Sequence, residues 1–171
     1  QQTGYMWGLS NQAGSFYQFE PTRSGYVADE LLKDYEGSVL TDKFSGYERF
    51  STREGVNWGL CWAHARREFY DLREAYPEEA ESLIEVIDEI FEVERQAKTW
   101  GELKKLRESL SKPLTKKLKT ILQNYRSEFF AQDDFCKAIN YVLSGWTQFI
   151  AFIEDVTLPP VSYTHLTLPT S

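Results

Sequence analysis

Hydrophobic residues change their spacing part-way along the chain, and that change limits the architectures open to it. Up to Trp62 they fall in short runs with the alternation of strands. From Glu78 onward they recur at helical intervals. Leu83, Val86, Ile87, Ile90 and Val93 keep the i, i+3, i+4, i+7 rhythm of an amphipathic helix. Such a chain is of the α/β (α+β) class, with strands confined to its first part and a helical second part. Its 171 residues suffice for one domain with a core, or for a small domain carrying an insertion.

The first part reads as an ordered series of elements. Tyr5–Leu9 and Ser15–Phe19 are predicted to form an antiparallel hairpin about the turn residues Asn11-Gln12-Ala13-Gly14, and Pro21 ends it. Ser24 caps a helix from Tyr26 to Tyr35, with Val27, Leu31 and Tyr35 on one face and Gly37 as its stop. Ser38–Thr41 is a short buried strand, and Asp42 stands at its end. A short helical turn over Ser45–Phe50 leads to a strand at Val56–Trp62. A helix then runs from Ala63 to Ala75, bounded by Pro77. The short link makes these two strands parallel neighbours.

The second part is helical. Thr99 and Glu102 have capping-box spacing ahead of Leu103, Leu106 and Leu110. Pro113 is expected to break that helix and to open the next, whose stripe is Leu114, Leu118, Ile121, Leu122, Tyr125 and Phe129. A last stripe runs from Phe135 to Ile153, with a kink expected at Gly145.

Bulk properties remove several function classes. No apolar run approaches the roughly 18 residues of a membrane span, so a cytoplasmic protein without membrane partners is expected. The start, Gln1-Gln2-Thr3-Gly4, lacks a methionine and a leader pattern, and reads as mid-protein. Two distant cysteines, Cys61 and Cys136, are too few for a disulfide framework. A net charge of −7 argues against a whole-surface DNA binder. Charge is nevertheless segregated. Glu78 to Glu94 carries acids only, whereas Lys98 to Arg126 is strongly basic. The basic run could track phosphates or could pair with its acidic neighbour. Val161–Thr170 back-translates onto a common sequencing adapter, so residues 159–171 are expected to be a non-native tail in which His165 has no role.

Two constellations could carry chemistry. A carboxylate at the carboxyl tip of a strand, as at Asp42, is where α/β sheets place reacting groups; as a structural feature it would simply cap a turn. Cys61-Trp62-Ala63-His64-Ala65-Arg66-Arg67 follows the second strand. Cys61 and His64 have ligand-like spacing, but a zinc site needs about four ligands and too few exist here. His64, Arg66 and Arg67 instead fall at a helix start, where phosphate is attracted; alternatively, the arginines pair with Glu68 or Asp71.

Residues Leu40-Thr41-Asp42-Lys43-Phe44-Ser45-Gly46-Tyr47, followed by Gly59-Leu60-Cys61-Trp62-Ala63-His64-Ala65-Arg66-Arg67-Glu68-Phe69, resemble the catalytic core of the insertion-sequence-66 (IS-66) family of transposases. Gly4–Trp7, Pro21–Gly25, Lys137–Tyr141 and Trp146 resemble it too. The resemblance implies a partial RNase H-like mixed sheet with a large all-helical insertion. It divides the chain into a partial catalytic core (1–77), the insertion (78–135) and a helix returning to the core (136–158), ahead of the tail. It implies that Asp42 is the second acid of a DDE triad and a ligand for Mg2+ or Mn2+, the other two acids lying outside the chain. The complete protein would then cut and join insertion-sequence ends on double-stranded DNA, as a homo-oligomer, and this fragment alone would be inactive. His64, Arg66, Arg67, Lys43 and Arg23 are the expected DNA contacts. Lys43 and Phe44 stand where the family usually has glycine and tyrosine. A non-catalytic DNA- or protein-binding module, or another RNase H-like nuclease, are the alternatives.

Overall fold

The structure is a computed structural model that describes residues 4–11 and 13–162. Gln12 of the predicted turn, His165, and positions 163–171 of the expected tail lie outside the described residues.

β1 (Tyr5–Asn11) and β2 (Gly14–Glu20) form the predicted antiparallel hairpin, with Met6 opposite Phe19 and Gly8 opposite Tyr17. Alternation sends Trp7 into the core, where its indole N–H donates to Thr22 O at 3.2 Å. Met6, Tyr17 and Phe19 point the other way and are exposed.

α1 (Gly25–Leu31) is capped by the Ser24 hydroxyl, which accepts from the Tyr26 N–H at 3.4 Å. It stops about a turn before the expected Tyr35. The guanidinium of Arg53 donates to the Leu32 and Lys33 carbonyls, satisfying a helix end that the local sequence leaves open. Gly37 therefore opens the next strand, with φ +134°, instead of ending the helix.

β3 (Gly37–Thr41) and β4 (Val56–Leu60) pair in parallel, as expected, with Val39 opposite Trp58 and Thr41 opposite Leu60. A 3-10 segment over Ser45–Thr52 joins them. Its Gly46 backs directly onto Gly25, so closely that a Cβ on Gly25 would sit 2.4 Å from Gly46 O. Two glycines thus let α1 and the 3-10 segment touch backbone to backbone. The four strands form two separate two-stranded sheets among the described residues.

Trp62 belongs to the first turn of α2 (Trp62–Asp71), not to the end of β4. It is fully buried, its N–H donates to Pro160 O at 2.8 Å, and its indole donates to Phe149 O at 2.7 Å. α2 ends short of the expected Ala75, and Tyr76 leaves helical geometry at φ −135°, ψ 65°, a departure that a following proline favours.

α3 (Pro77–Gln96) is the long amphipathic helix that the periodicity predicts, with Pro77 in its first turn. α4 (Trp100–Leu106) is capped by Thr99, whose hydroxyl accepts from Glu102 N–H at 3.2 Å. Pro113 sits in the first turn of the next helix, as expected, but does not break the chain of helices. The backbone widens into a π turn at Arg107–Ser111 and runs on as α5 (Lys112–Glu128). Lys112 N–H reaches back to Arg107 O, and the extra residue makes room for the Pro113 ring. α6 (Asp134–Ser144) ends at Gly145. The expected single stripe to Ile153 is divided there into α7 (Trp146–Phe149) and a 3-10 turn at Ala151–Ile153.

One contiguous core joins these parts. Leu60, Trp62 and Phe69 share it with Ile87, Leu118, Phe135 and Phe149. Leu158 packs over Gly59, where a Cβ would lie 2.6 Å from a Leu158 methyl, and Pro160 and Val161 are buried beside it. Residues 159–162, assigned to the tail on sequence, are therefore packed against the start of α2. No helix among the described residues is long and apolar enough to cross a membrane.

Candidate active site

Parallel pairing places the carboxyl ends of β3 and β4 side by side. Asp42 follows β3 directly, and Cys61 N–H donates to Thr41 O at 2.9 Å, extending the ladder to the threshold of α2. The carboxylate and the helix start are thereby brought to the same edge.

Asp42 is half-buried, and one of its oxygens accepts from Phe44 N–H at 3.1 Å. This turn fixes the side chain against its own loop. Among the described residues no side-chain donor and no basic partner engages it, so its second oxygen is open.

Two phenols that spacing did not single out lie near enough to feel the charge of this carboxylate. Tyr47 stacks on Phe50 at 6.0 Å, and burial followed by the Asp42 charge raises its pKa against the pull of Arg23. Tyr141 comes from α6. Burial, then Glu68 and Asp42, push it up to about 12, so it stays a neutral donor at physiological pH. Both lie inside segments that carry the family resemblance, which was the available signal. The link of Tyr141 to Asp42 depends on long-range packing, whereas Tyr47 lies in the same loop segment.

The expected DNA contacts separate into two groups. Arg23, Arg67 and His64 are exposed. Arg23 lies over the Phe44 ring, 4.4 Å from its centroid, beside the Asp42 loop. Arg66 and Lys43 have protein partners. Arg66 forms a bidentate pair with Asp88 of α3 at 2.7 and 2.8 Å, in place of the Glu68 or Asp71 that spacing suggested. Lys43 donates to Tyr141 O at 2.6 Å and to the Ser144 hydroxyl, and lies 4.9 Å from the Tyr141 ring centroid. Burial lowers its pKa, partly offset by Glu48. Lys43 thus ties the Asp42 loop to the carbonyl end of α6, where a cation is favoured. Cys61 and Cys136 are free and buried, and among the described residues no group of three or more His, Cys, Asp or Glu could hold a metal.

Residues 1–162 match the family described as Transposase IS66 family. The chain belongs to that family. It is also similar to the uncharacterized protein y4jD of Sinorhizobium fredii (strain NBRC 101917 / NGR234), at 27% identity over 83% of this chain and 30% of the relative. The uncharacterized protein y4qI of the same strain is 24% identical over 81% of this chain and 28% of its own length. The chain thus spans less than a third of these relatives. No solved structure matches it. In this IS66-family chain, the segments that carry the resemblance meet in space. Gly25 touches Gly46, Arg23 covers Phe44, and Lys43 reaches Tyr141.

Proposed function

We propose that this chain is the central part of a DDE-type transposase in which Asp42 is the second of three catalytic acids. The observation that carries the reading is the open carboxylate at the carboxyl end of the parallel pair, beside the start of α2. In strand transfer a hydroxyl oxygen attacks phosphorus while a second oxygen leaves, and a pair of divalent cations stabilises both oxygens. Mg2+ or Mn2+ needs several oxygen ligands. Among the described residues no group of three or more His, Cys, Asp or Glu could hold a metal, so the chain does not by itself fit such a pair. The proposal assigns the remaining acids to other parts of the complete protein and takes the isolated chain to be inactive.

Two features support an RNase H-like setting. Each of the four strands keeps an edge without a strand partner among the described residues, which leaves room for a larger sheet. Residues 155–162 run alongside β4, from Asn57 past Gly59 to Trp62, and so lead the chain toward the Asp42 end. In this reading His64, Arg67 and Arg23 face DNA phosphates, while Arg66 and Lys43 hold α2 and the Asp42 loop in place. The substrate is double-stranded insertion-sequence DNA, handled by a homo-oligomer in the bacterial cytoplasm.

The test is Mg2+-dependent strand transfer by the full-length protein. Asp42→Ala should lower the rate by roughly a thousandfold, as loss of a group that stabilises reacting oxygens does, and should leave end-DNA binding intact. Strand transfer at the wild-type rate in that variant would remove Asp42 from the mechanism. DNA binding without cutting in the wild type would favour the binding-module reading.

A further inference from the structure

α5 has a flank that neither the core nor the acidic helix uses. Its core face is Thr115, Leu118 and Leu122. Lys117 turns toward α3, where Glu89 lies 3.9 Å away, and Arg107 is taken by Glu94. On the other side, Lys112, Lys116, Lys119 and Arg126 recur at i, i+4, i+7 and i+14 and share one flank. Glu128 is the only acid of α5, and it does not fall on this flank. Lys112 is paired with Glu108, but among the described residues no carboxylate lies within ion-pair distance of Lys116, Lys119 or Arg126.

This flank is connected to the Asp42 edge. Lys119 lies over the Trp146 ring, 5.5 Å from its centroid. Trp146 meets Trp62, the first residue of α2, edge-on at 5.9 Å. Gly145 beside it is close enough to Lys43 that a Cβ would be 3.3 Å from Lys43 Cε. The three unpaired cations, Lys116, Lys119 and Arg126, span about 15 Å of helix, the rise of 10 residues.

We propose that this flank of α5 tracks the phosphate backbone of duplex DNA leading to Asp42. The proposal deepens the transposase reading and rests on it for the identity of the partner. It also separates the two possibilities open for the basic run: Arg107 and Lys117 answer the acids of α3, whereas Lys116, Lys119 and Arg126 are left for DNA.

The test is the salt dependence of binding of the 171-residue chain to a short fluorescein-labelled duplex, read by anisotropy from ~50 to ~200 mM salt. Each phosphate contact contributes about 0.9 to the slope of log K against log salt. Replacing Lys116, Lys119 and Arg126 together by glutamine should reduce the slope by between about two and three and weaken binding on the order of tenfold or more. Lys117→Gln, on the opposite flank, should leave both unchanged. Circular dichroism checks that each variant is folded, and Lys116→Glu alone provides a milder second variant with an effect of the same sign. An unchanged slope in the triple variant, an equal loss in Lys117→Gln, or no salt-dependent binding by the chain overturns the proposal. A slope that falls as expected alongside normal strand transfer by Asp42→Ala would refute the catalytic reading and leave the DNA track standing.

Discussion

Asp155 joins parts of the chain that are far apart in sequence. One oxygen accepts from the Ser38 hydroxyl at 2.5 Å and from Asn57 Nδ2 at 2.6 Å, at the starts of β3 and β4. The other accepts from the Thr157 N–H at 2.8 Å and hydroxyl at 2.6 Å. Burial alone would raise this carboxyl, but the hydrogen bonds from Ser38, Thr157 and Asn57 outweigh it and hold the pKa down to about 2. A carboxyl with a lowered folded-state pKa stabilises the fold above its ordinary value of 3.8, and the contribution fades as pH falls through about 2. Urea unfolding between neutral pH and pH ~2 should show Asp155→Asn losing less stability on acidification than the unaltered chain. Parallel curves would contradict the assignment. The place of Asp42 at a strand end was legible because the short strand and the motif coincide within a few residues. Asp155, Tyr141 and the Asp88 partner of Arg66 were not, because each works through contacts that only the folded chain creates.

At the scale of elements, the π turn between α4 and α5 has a structural consequence. It buries Arg107, 1% exposed, against Glu94, 4% exposed, with bonds of 2.8 and 2.7 Å. The same guanidinium donates to Phe152 O at 2.5 Å and Asp155 O at 2.9 Å, tying the helical part to the segment that runs beside β4. Arg107→Ala should cost about 3–5 kcal/mol, because it leaves a buried carboxylate unpaired. The double variant Arg107→Met, Glu94→Leu should recover most of the loss but not all, since two carbonyls lose their donor. Chemical denaturation of both variants checks this, and a single variant as stable as the parent would contradict it. Hydrophobic rhythm was enough to locate the hairpin, the parallel strands and α3. The interruption at Gly145 and the place of Pro113 at the start of α5 were legible too, but the end of α1 and the break expected ahead of Pro113 were misplaced. Arg53 closes α1 from 20 residues away, and a bulge absorbs the proline, so neither outcome is written in local propensity.

For the molecule as a whole, the net charge of −7 conceals a division of labour. Acids of α3 hold the structure through Asp88–Arg66, Glu94–Arg107 and Glu89–Lys117, while one flank of α5 remains cationic. The two small sheets and the helices share one core, so the Asp42 edge is held by all parts of the chain. The transposase function proposed above requires Asp42 to ligate a catalytic divalent cation. The most direct measurement is strand transfer by full-length Asp42→Cys in Mg2+ and in Mn2+. Mg2+ demands hard oxygen ligands, whereas a thiolate is better accepted by a softer transition metal. Asp42→Cys should be inactive with Mg2+ and regain activity with Mn2+, while Asp42→Ala should regain none. Wild-type activity of Asp42→Cys in Mg2+, or equal recovery of Asp42→Ala in Mn2+, would contradict it.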